Sequence, residues 1–327
     1  MVDQAGMPHR SPSTRLMRLD VARGLALVAM AIYHLTWDLE FFRYVPLGLT
    51  SEGGWKIFAR GIASTFLFLA GFSLVLGHYP TIRWRPFLRR LAMIVTAALV
   101  ITVATYIAFS QAFIFFGILH AIAAASLIGL AFLRLPPAIT AIIAVLIIIT
   151  PNVFSSTAFD WPGLWWVGLS ENRPVSNDYV PLFPWLGATL LGIAAARIMK
   201  ANGWLGHLAT RSEPGRLTRG LAFAGRHSLA VYLIHQPILL GLVYLASIVA
   251  PPPAADPGVA YMNSCVPSCS ATQGETFCQS FCGCTLDALN AADLFDDLIA
   301  GTLDPAGDPR AVEIANQCTA DIFGGQR

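Results

Sequence analysis

Charge is scarce in this chain. Only 12% of its 327 residues are charged, 55% are hydrophobic, and the mean hydropathy is +0.61. Such a composition excludes an ordinary soluble globular domain and predicts an all-α integral membrane protein. Cysteine is missing before position 265, so the apolar region has no thiol chemistry of its own. Acidic residues are few in residues 1–250, 9 against 19 Lys/Arg, and basic residues are few in 251–327, 2 against 10 Asp/Glu. The net charge of +2 therefore hides a basic apolar part followed by an acidic, polar tail. No basic stripe gathers the arginines, which excludes a nucleic-acid partner. No P-loop, dinucleotide fingerprint or zinc-protease motif is present, and no internal repeat. The apolar stretch after the polar start carries Asp20 and Arg23 and lacks a small-x-small cleavage site, so it is not a cleavable signal peptide.

What is there is a series of apolar segments. Residues 1–18 are expected to be a disordered cytoplasmic terminus. Seven spans follow, at 20–42, 56–77, 91–109, 113–132, 136–153, 180–198 and 226–250, in a membrane domain of residues 19–250. Ser110-Gln111-Ala112 joins the third and fourth as a tight antiparallel hairpin. With the amino terminus inside, inner segments hold Arg10, Arg15, Arg18, Arg83, Arg85, Arg89, Arg90, Arg134, Arg197, Lys200, Arg211, Arg216 and Arg219. Outer loops then hold only Arg43 and Arg173. This bias predicts a multi-pass protein of the bacterial inner membrane with its tail, residues 256–327, on the periplasmic side.

The tail holds all six cysteines: Cys265, Cys269, Cys278, Cys282, Cys284 and Cys318. Their spacing is not that of a zinc ribbon, and an even count in one polar segment predicts disulfides and no metal. Residues four apart share a helix face, so Cys265–Cys282, Cys269–Cys278 and Cys284–Cys318 is one workable pairing among many. Pro267 counts against a helix there.

Buried ionisable groups are expensive in a membrane helix, roughly 2.5–3.5 kcal/mol each on insertion scales, so those present carry information. Arg23, His34 and Asp38 fall on one face of the first span. Asp38, one turn past His34, predicts a carboxylate that orients the imidazole. Arg23, nearer the inner mouth, suits a phosphate; Asp20, one turn away, predicts partial neutralisation. Arg60 of the second span is expected to pair with Asp38 or Glu40, and Lys56 to snorkel. His120 stands mid-span and, taken alone, reads as a satisfied core histidine. His235 and Gln236 lie deep in the last span beside Pro237, which marks a bent helix near a cavity. Trp161, Trp165 and Trp166 crowd the outer loop, either as an interfacial belt or as a stacking platform for a sugar ring. Asp178 begins the sixth span.

Taken together these segments resemble a known family. Arg18 to Leu27 (RLDVARGLAL) with Met30 and His34, Phe66 to Ser73 (FLFLAGFS), Phe116 to His120 (FGILH), Asp178 to Trp185 (DYVPLFPW) and Gly225 to Leu229 (GRHSL) with Tyr232, His235, Gln236 and Pro237 are similar to bacterial relatives of heparan-α-glucosaminide N-acetyltransferase. The Arg-x10-His spacing is also similar to that of the wider membrane acyltransferases. The resemblance covers about residues 15–245 and implies acyl transfer, acetyl by expectation, from cytoplasmic acetyl-CoA to a hydroxyl or amine of a glycan or lipid-linked sugar across the bilayer. His34 and Asp38 would then be catalytic. Arg23, Arg89, Arg90 and Arg226 would meet the donor's phosphates, and His120, His235, Gln236, Asp178 and the three tryptophans would line the acceptor cavity. Two other classes fit the same residues: a small-solute transporter with a proton relay, disfavoured by the missing repeat, and a non-catalytic scaffold that displays the tail.

Overall fold

The structure is a computed structural model that describes residues 16–208, 215–253, 256–270 and 272–324. The expectations for the first fifteen residues and the orienting charges Arg10, Arg15 and Arg211 lie outside the described residues. Among the described residues there is no strand. The chain forms two compact units, one up to Ala250 and one from Pro251.

The first unit contains α1 (Met17–Phe41), α2 (Gly53–His78), α3 (Trp84–Ala108), α4 (Ile118–Phe132), α5 (Pro137–Val153), α6 (Leu182–Ala201), α7 (Arg216–Arg226) and α8 (Ser228–Val249). Five of these, α1, α2, α3, α6 and α8, are long and apolar enough to cross a membrane. The other two apolar helices, α4 and α5, have 15 and 17 residues. At 1.5 Å per residue they reach about 22–25 Å, short of a hydrocarbon core of about 30 Å. The expected fourth span, 113–132, is corrected at its start. Its helix begins at Ile118, because the Asp178 carboxylate accepts from the Ile118 N–H at 2.8 Å and caps it there. The residues before it are turns, bends and irregular chain, with Val180 N–H donating to the Phe116 carbonyl at 3.0 Å. The stretch expected to be an inner loop contains α7, a short amphipathic helix with Arg216, Arg219, Phe223 and Arg226 on an exposed face.

Lipid tails are as apolar as leucine, so burial in a bilayer gains little by itself. Close backbone approach, dispersion and hydrogen bonding hold membrane helices together. Glycines set the crossings here. A β-carbon on Gly71 of α2 would lie 2.0 Å from the Thr189 carbonyl oxygen of α6, and one on Gly192 would lie 2.1 Å from that of Phe68. The same reciprocity joins α1 to α7: a β-carbon on Gly24 would meet the Leu221 oxygen at 2.2 Å, and one on Gly225 the Asp20 oxygen at 1.8 Å. Between the glycine contacts, Leu67, Val75, Leu190 and Ile193 are fully buried. Outward faces stay apolar. Ile139, Ile142, Leu146, Ile149 and Val153 form an exposed stripe on α5, where a soluble helix would carry charge.

The bundle end where α1 begins is basic. There Arg197 of α6 donates to the carbonyls of Leu133 and Leu135 and lies 4.2 Å over the Tyr79 ring. Lys200 donates to the Tyr79 carbonyl at 3.0 Å. Both cations thus hold the α2–α3 and α4–α5 turns to the end of α6.

The second unit contains α9 (Pro257–Ser270), α10 (Glu275–Ala291), α11 (Phe295–Ile299) and α12 (Pro309–Gly324). The disulfides are Cys265–Cys282, Cys269–Cys278 and Cys284–Cys318, so the expected bridges form with that pairing. The first two are nested rungs, which makes α9 and α10 an antiparallel hairpin; the third ties α10 to α12. Pro267 lies inside α9, contrary to its expected effect on the helix. A small core of Leu289, Leu294, Phe295, Leu303 and Ala311 sits beneath. Asp308 accepts from the Arg310 backbone and guanidinium at the start of α12, and these bonds pull its carboxyl down to about 2.

Two predictions follow from this packing. Gly225→Val forces α1 and α7 apart and lowers stability by about 1–3 kcal/mol. Gly220→Ala, with nothing within 4 Å, is neutral or stabilising. Thermal melts of the purified protein compare them. In the tail, the Cys284–Cys318 bridge spans 34 residues and Cys269–Cys278 spans 9. Closing the longer loop removes more denatured-state entropy, about 3–4 against 2–3 kcal/mol in the chain-entropy model. Replacing Cys284 and Cys318 together by serine therefore destabilises the tail more than the same change at Cys269 and Cys278, as read by limited proteolysis.

Candidate functional site

Four polar side chains meet where α1 crosses α8. Gln236 Nε2 donates to Asp38 Oδ1 at 2.7 Å. The rings of His34 and His235 stand edge to face with centroids 5.0 Å apart. Asp38 is wholly buried. Asp38 Oδ2, Gln236 Oε1 and His235 Nε2 are all buried without a protein hydrogen-bond partner. Each such atom costs about 1–3 kcal/mol, so three together at one crossing are unusual. The glycine contacts between α1 and α7 bring this crossing about, since α8 begins two residues after α7 ends.

Two of the sequence expectations are corrected here. Asp38 does not orient His34: among the described residues no hydrogen bond joins them, and Gln236, a donor on the neighbouring helix, holds the carboxylate instead. Arg60 pairs with neither acid of α1. It is exposed, and Glu40 accepts from Gly48 N–H at 2.6 Å, Thr50 N–H at 2.8 Å and Thr50 Oγ1 at 2.7 Å. Glu40 thereby fastens the turn after α1, and Tyr33 donates to the Thr50 carbonyl of the same turn at 3.4 Å. The sequence signal for this anchoring is the Gly-x-Thr that follows Glu40, and sequence reasoning missed it. Tyr232, named in the sequence only as part of the last-span motif, has a carbonyl that accepts from His235 Nδ1 at 2.6 Å and a ring 5.6 Å from that imidazole.

At the basic end, Arg23 donates to Asp20 at 2.9 Å, as expected, and to Ser73 Oγ at 2.5 Å, which ties α1 to α2. Gly225 packs on the Asp20 backbone, so Arg226 follows directly beside it, exposed. Arg89 and Arg90, adjacent in α3, point about 100° apart. Arg89 is exposed and Arg90 half-buried. Both border an open hollow of about 460 Å³ with Arg85, Pro86 and Met93. A cluster of guanidinium groups beside an apolar wall suits a phosphorylated ligand with an apolar portion.

Away from the α1–α8 crossing, His120 uses both ring nitrogens. Nδ1 accepts from Gly117 N–H at 3.2 Å, and Nε2 lies 3.3 Å from Thr102 Oγ1. It is a satisfied histidine between α3 and α4. Asp178 is the α4 cap, and Gly117 is glycine because a β-carbon there would lie 2.3 Å from the Asp178 carboxylate. Both residues also border a narrow crevice with Tyr232. The loop that carries the tryptophans is organised by Asp160, which accepts from Ser170 Oγ at 2.5 Å, Glu171 N–H at 3.0 Å and Asn172 Nδ2 at 2.7 Å. These bonds, Ser170 first, hold its carboxyl below the usual carboxylate range. Trp165 donates to the Asp160 carbonyl at 2.8 Å and packs on Phe115, ring centroids 5.5 Å apart. Trp161 and Trp166 are 65% and 41% exposed, so two indole faces remain available. Among the described residues no His/Cys/Asp/Glu cluster could hold a metal ion.

No curated protein and no solved structure matches the chain. The family model described as heparan-alpha-glucosaminide N-acetyltransferase, catalytic, matches residues 15–237. That match takes in α1 through the His235-Gln236-Pro237 step of α8, and so both helices of the polar crossing. Each motif glycine above lies within it. The chain is therefore a multi-pass membrane protein that belongs to the heparan-alpha-glucosaminide N-acetyltransferase catalytic-domain family of membrane acetyltransferases.

Proposed function

We propose that this protein transfers an acetyl group from acetyl-CoA to a hydroxyl or amine of a glycan or lipid-linked sugar, with the reaction at the α1–α8 crossing. The observation that carries the proposal is the set of three buried, unpartnered polar atoms on Asp38, His235 and Gln236, beside His34. A buried polar set without partners is costly in the resting protein and becomes satisfied when a polar substrate enters. Imidazoles at that position support acid–base chemistry on an acceptor X–H group.

The donor is proposed to approach from the basic end. Arg89, Arg90 and Arg226 are the phosphate contacts of choice, because Arg23 already serves Asp20 and Ser73. The thioester would then extend along α1 from Arg23 toward His34, about 16 Å at 1.5 Å per residue. Trp161 and Trp166 are proposed to stack on the acceptor's sugar ring from the opposite end. We place the basic end at the cytoplasm and the tail across the membrane, on the Lys/Arg bias of the loops.

Detergent-solubilised protein incubated with radiolabelled acetyl-CoA and a panel of sugars tests this reading; label in a sugar supports it. His34→Ala should lower transfer by about 10²-fold or more with the protein still inserted and folded. Full activity in both His34→Ala and His235→Ala would remove the α1–α8 crossing from the chemistry. Arg90→Ala should raise KM for acetyl-CoA and leave kcat nearly unchanged, since a phosphate contact is made equally in ground and transition states. An unaltered KM for both Arg89→Ala and Arg90→Ala would move the donor elsewhere.

A further inference from the structure

We infer that His235, rather than His34, is the base that takes the proton from the acceptor, and that Asp38 and Gln236 are acceptor-positioning residues. This rests on the acetyl-transfer reading above. The argument is one of hydrogen-bond direction. A backbone carbonyl can only accept, so the 2.6 Å bond between His235 Nδ1 and the Tyr232 oxygen puts the proton on Nδ1. In the neutral ring the lone pair is then on Nε2. That nitrogen is buried and has no protein partner. One end of the imidazole is locked by the Tyr232 carbonyl, and the other is a buried lone pair that no protein donor uses. His34 has no such fixing bond among the described residues; its ring stands against those of His235 and Tyr33.

The other two unpartnered atoms point the same way. A carboxylate cannot donate, so Gln236 must turn its amide nitrogen to Asp38, which leaves Oε1 as a free acceptor. Asp38 Oδ2 is the second oxygen of that carboxylate. Nε2, Oε1 and Oδ2 are thus three acceptors and no donor. A thioester presents its own lone pairs and no hydrogen, so it cannot satisfy them. A sugar hydroxyl or amine does. These atoms therefore belong to the acceptor half of the site.

The step balances without any further reactant. As the acceptor oxygen or nitrogen attacks the thioester carbonyl, its proton passes to His235 Nε2. The C–S bond breaks, and the departing thiolate takes that proton back. Acylated acceptor and free thiol leave, and the imidazole is again neutral.

The test uses the full chain in detergent, with acetyl-CoA as donor and either glucosamine or water as acceptor, read as free thiol. His235→Ala should lower kcat about 10²–10⁴-fold with KM for acetyl-CoA unchanged, and added imidazole should restore part of the rate. His34→Ala should gain nothing from imidazole. Asp38→Asn should raise KM for glucosamine more than KM for acetyl-CoA. His235→Gln, which keeps the ring's approximate volume, guards against misfolding and should be as slow as the alanine variant. A folded His235→Ala protein that imidazole does not restore, or a His235→Gln protein at the wild-type rate beside an inactive His34→Ala, overturns the assignment and leaves the acetyl-transfer reading standing. No thiol release by the wild-type chain with either acceptor overturns that reading and this assignment with it.

Discussion

The contact of Gly225 with the Asp20 backbone, and of Gly24 with that of Leu221, governs the rest of the bundle. It fixes where α7 lies on α1, and α8 leaves α7 with a single residue between them. The angle at which α8 returns along α1 is thereby set near its base. Two turns on, His235 and Gln236 arrive opposite His34 and Asp38. In a bilayer no hydrophobic drive would correct a wider crossing, so the separation is held by what the backbones allow. A methyl group at the base would be felt at the polar cluster as a displacement of the whole helix.

That cluster sits on the least enclosed helix of the bundle. Val243 is the buried residue of α8, and the helix otherwise shows Ile234, Ile238, Leu242, Leu245 and Ile248 outward. The polar atoms thus lie on one side of a helix whose other side is apolar and uncovered. The pairing of Gln236 with Asp38 is what makes α8 adhere to α1 at that depth. It also leaves one oxygen without a protein partner on each of the two side chains, so the contact that holds the helices is not fully satisfied.

Much of this was legible in the sequence, and the gaps have physical causes. Apolar runs and loop charges locate the helices, because a membrane span has a length and a hydropathy that few other segments share. The shared face of His34 and Asp38 follows from helical period. Which partner Asp38 takes does not, since a carboxylate on a helix is offered neighbours both along its own helix and across to the next, and only the crossing angle decides between them. Gly117 and Asp178, about sixty positions apart, each carry a motif signal, yet their relation as cap and cradle is a tertiary fact. His120, read alone as a satisfied core histidine, does have partners at both ring nitrogens, and it borders the crevice of Asp178 and Tyr232. Four-residue spacing made Cys265–Cys282 with Cys269–Cys278 one workable pairing among many; it forms because α9 and α10 are regular antiparallel helices, which the spacing alone does not decide. Pro267 misled because a proline removes one donor without always ending a helix that a crosslink holds on either side.

All three crosslinks are confined to residues 265–318, and residues 1–264 contain no cysteine. During synthesis the helices of residues 17–249 therefore emerge as a thiol-free stretch, and these cysteines follow them. No transient half-inserted helix can be trapped by a wrong bridge, and no oxidant can scramble the bundle while it assembles. The nested rungs also close over short distances in sequence, so the tail can find its pairing locally. Biogenesis divides at Ala250 into an insertion problem and an oxidation problem, and the second does not begin until most of the first has been presented.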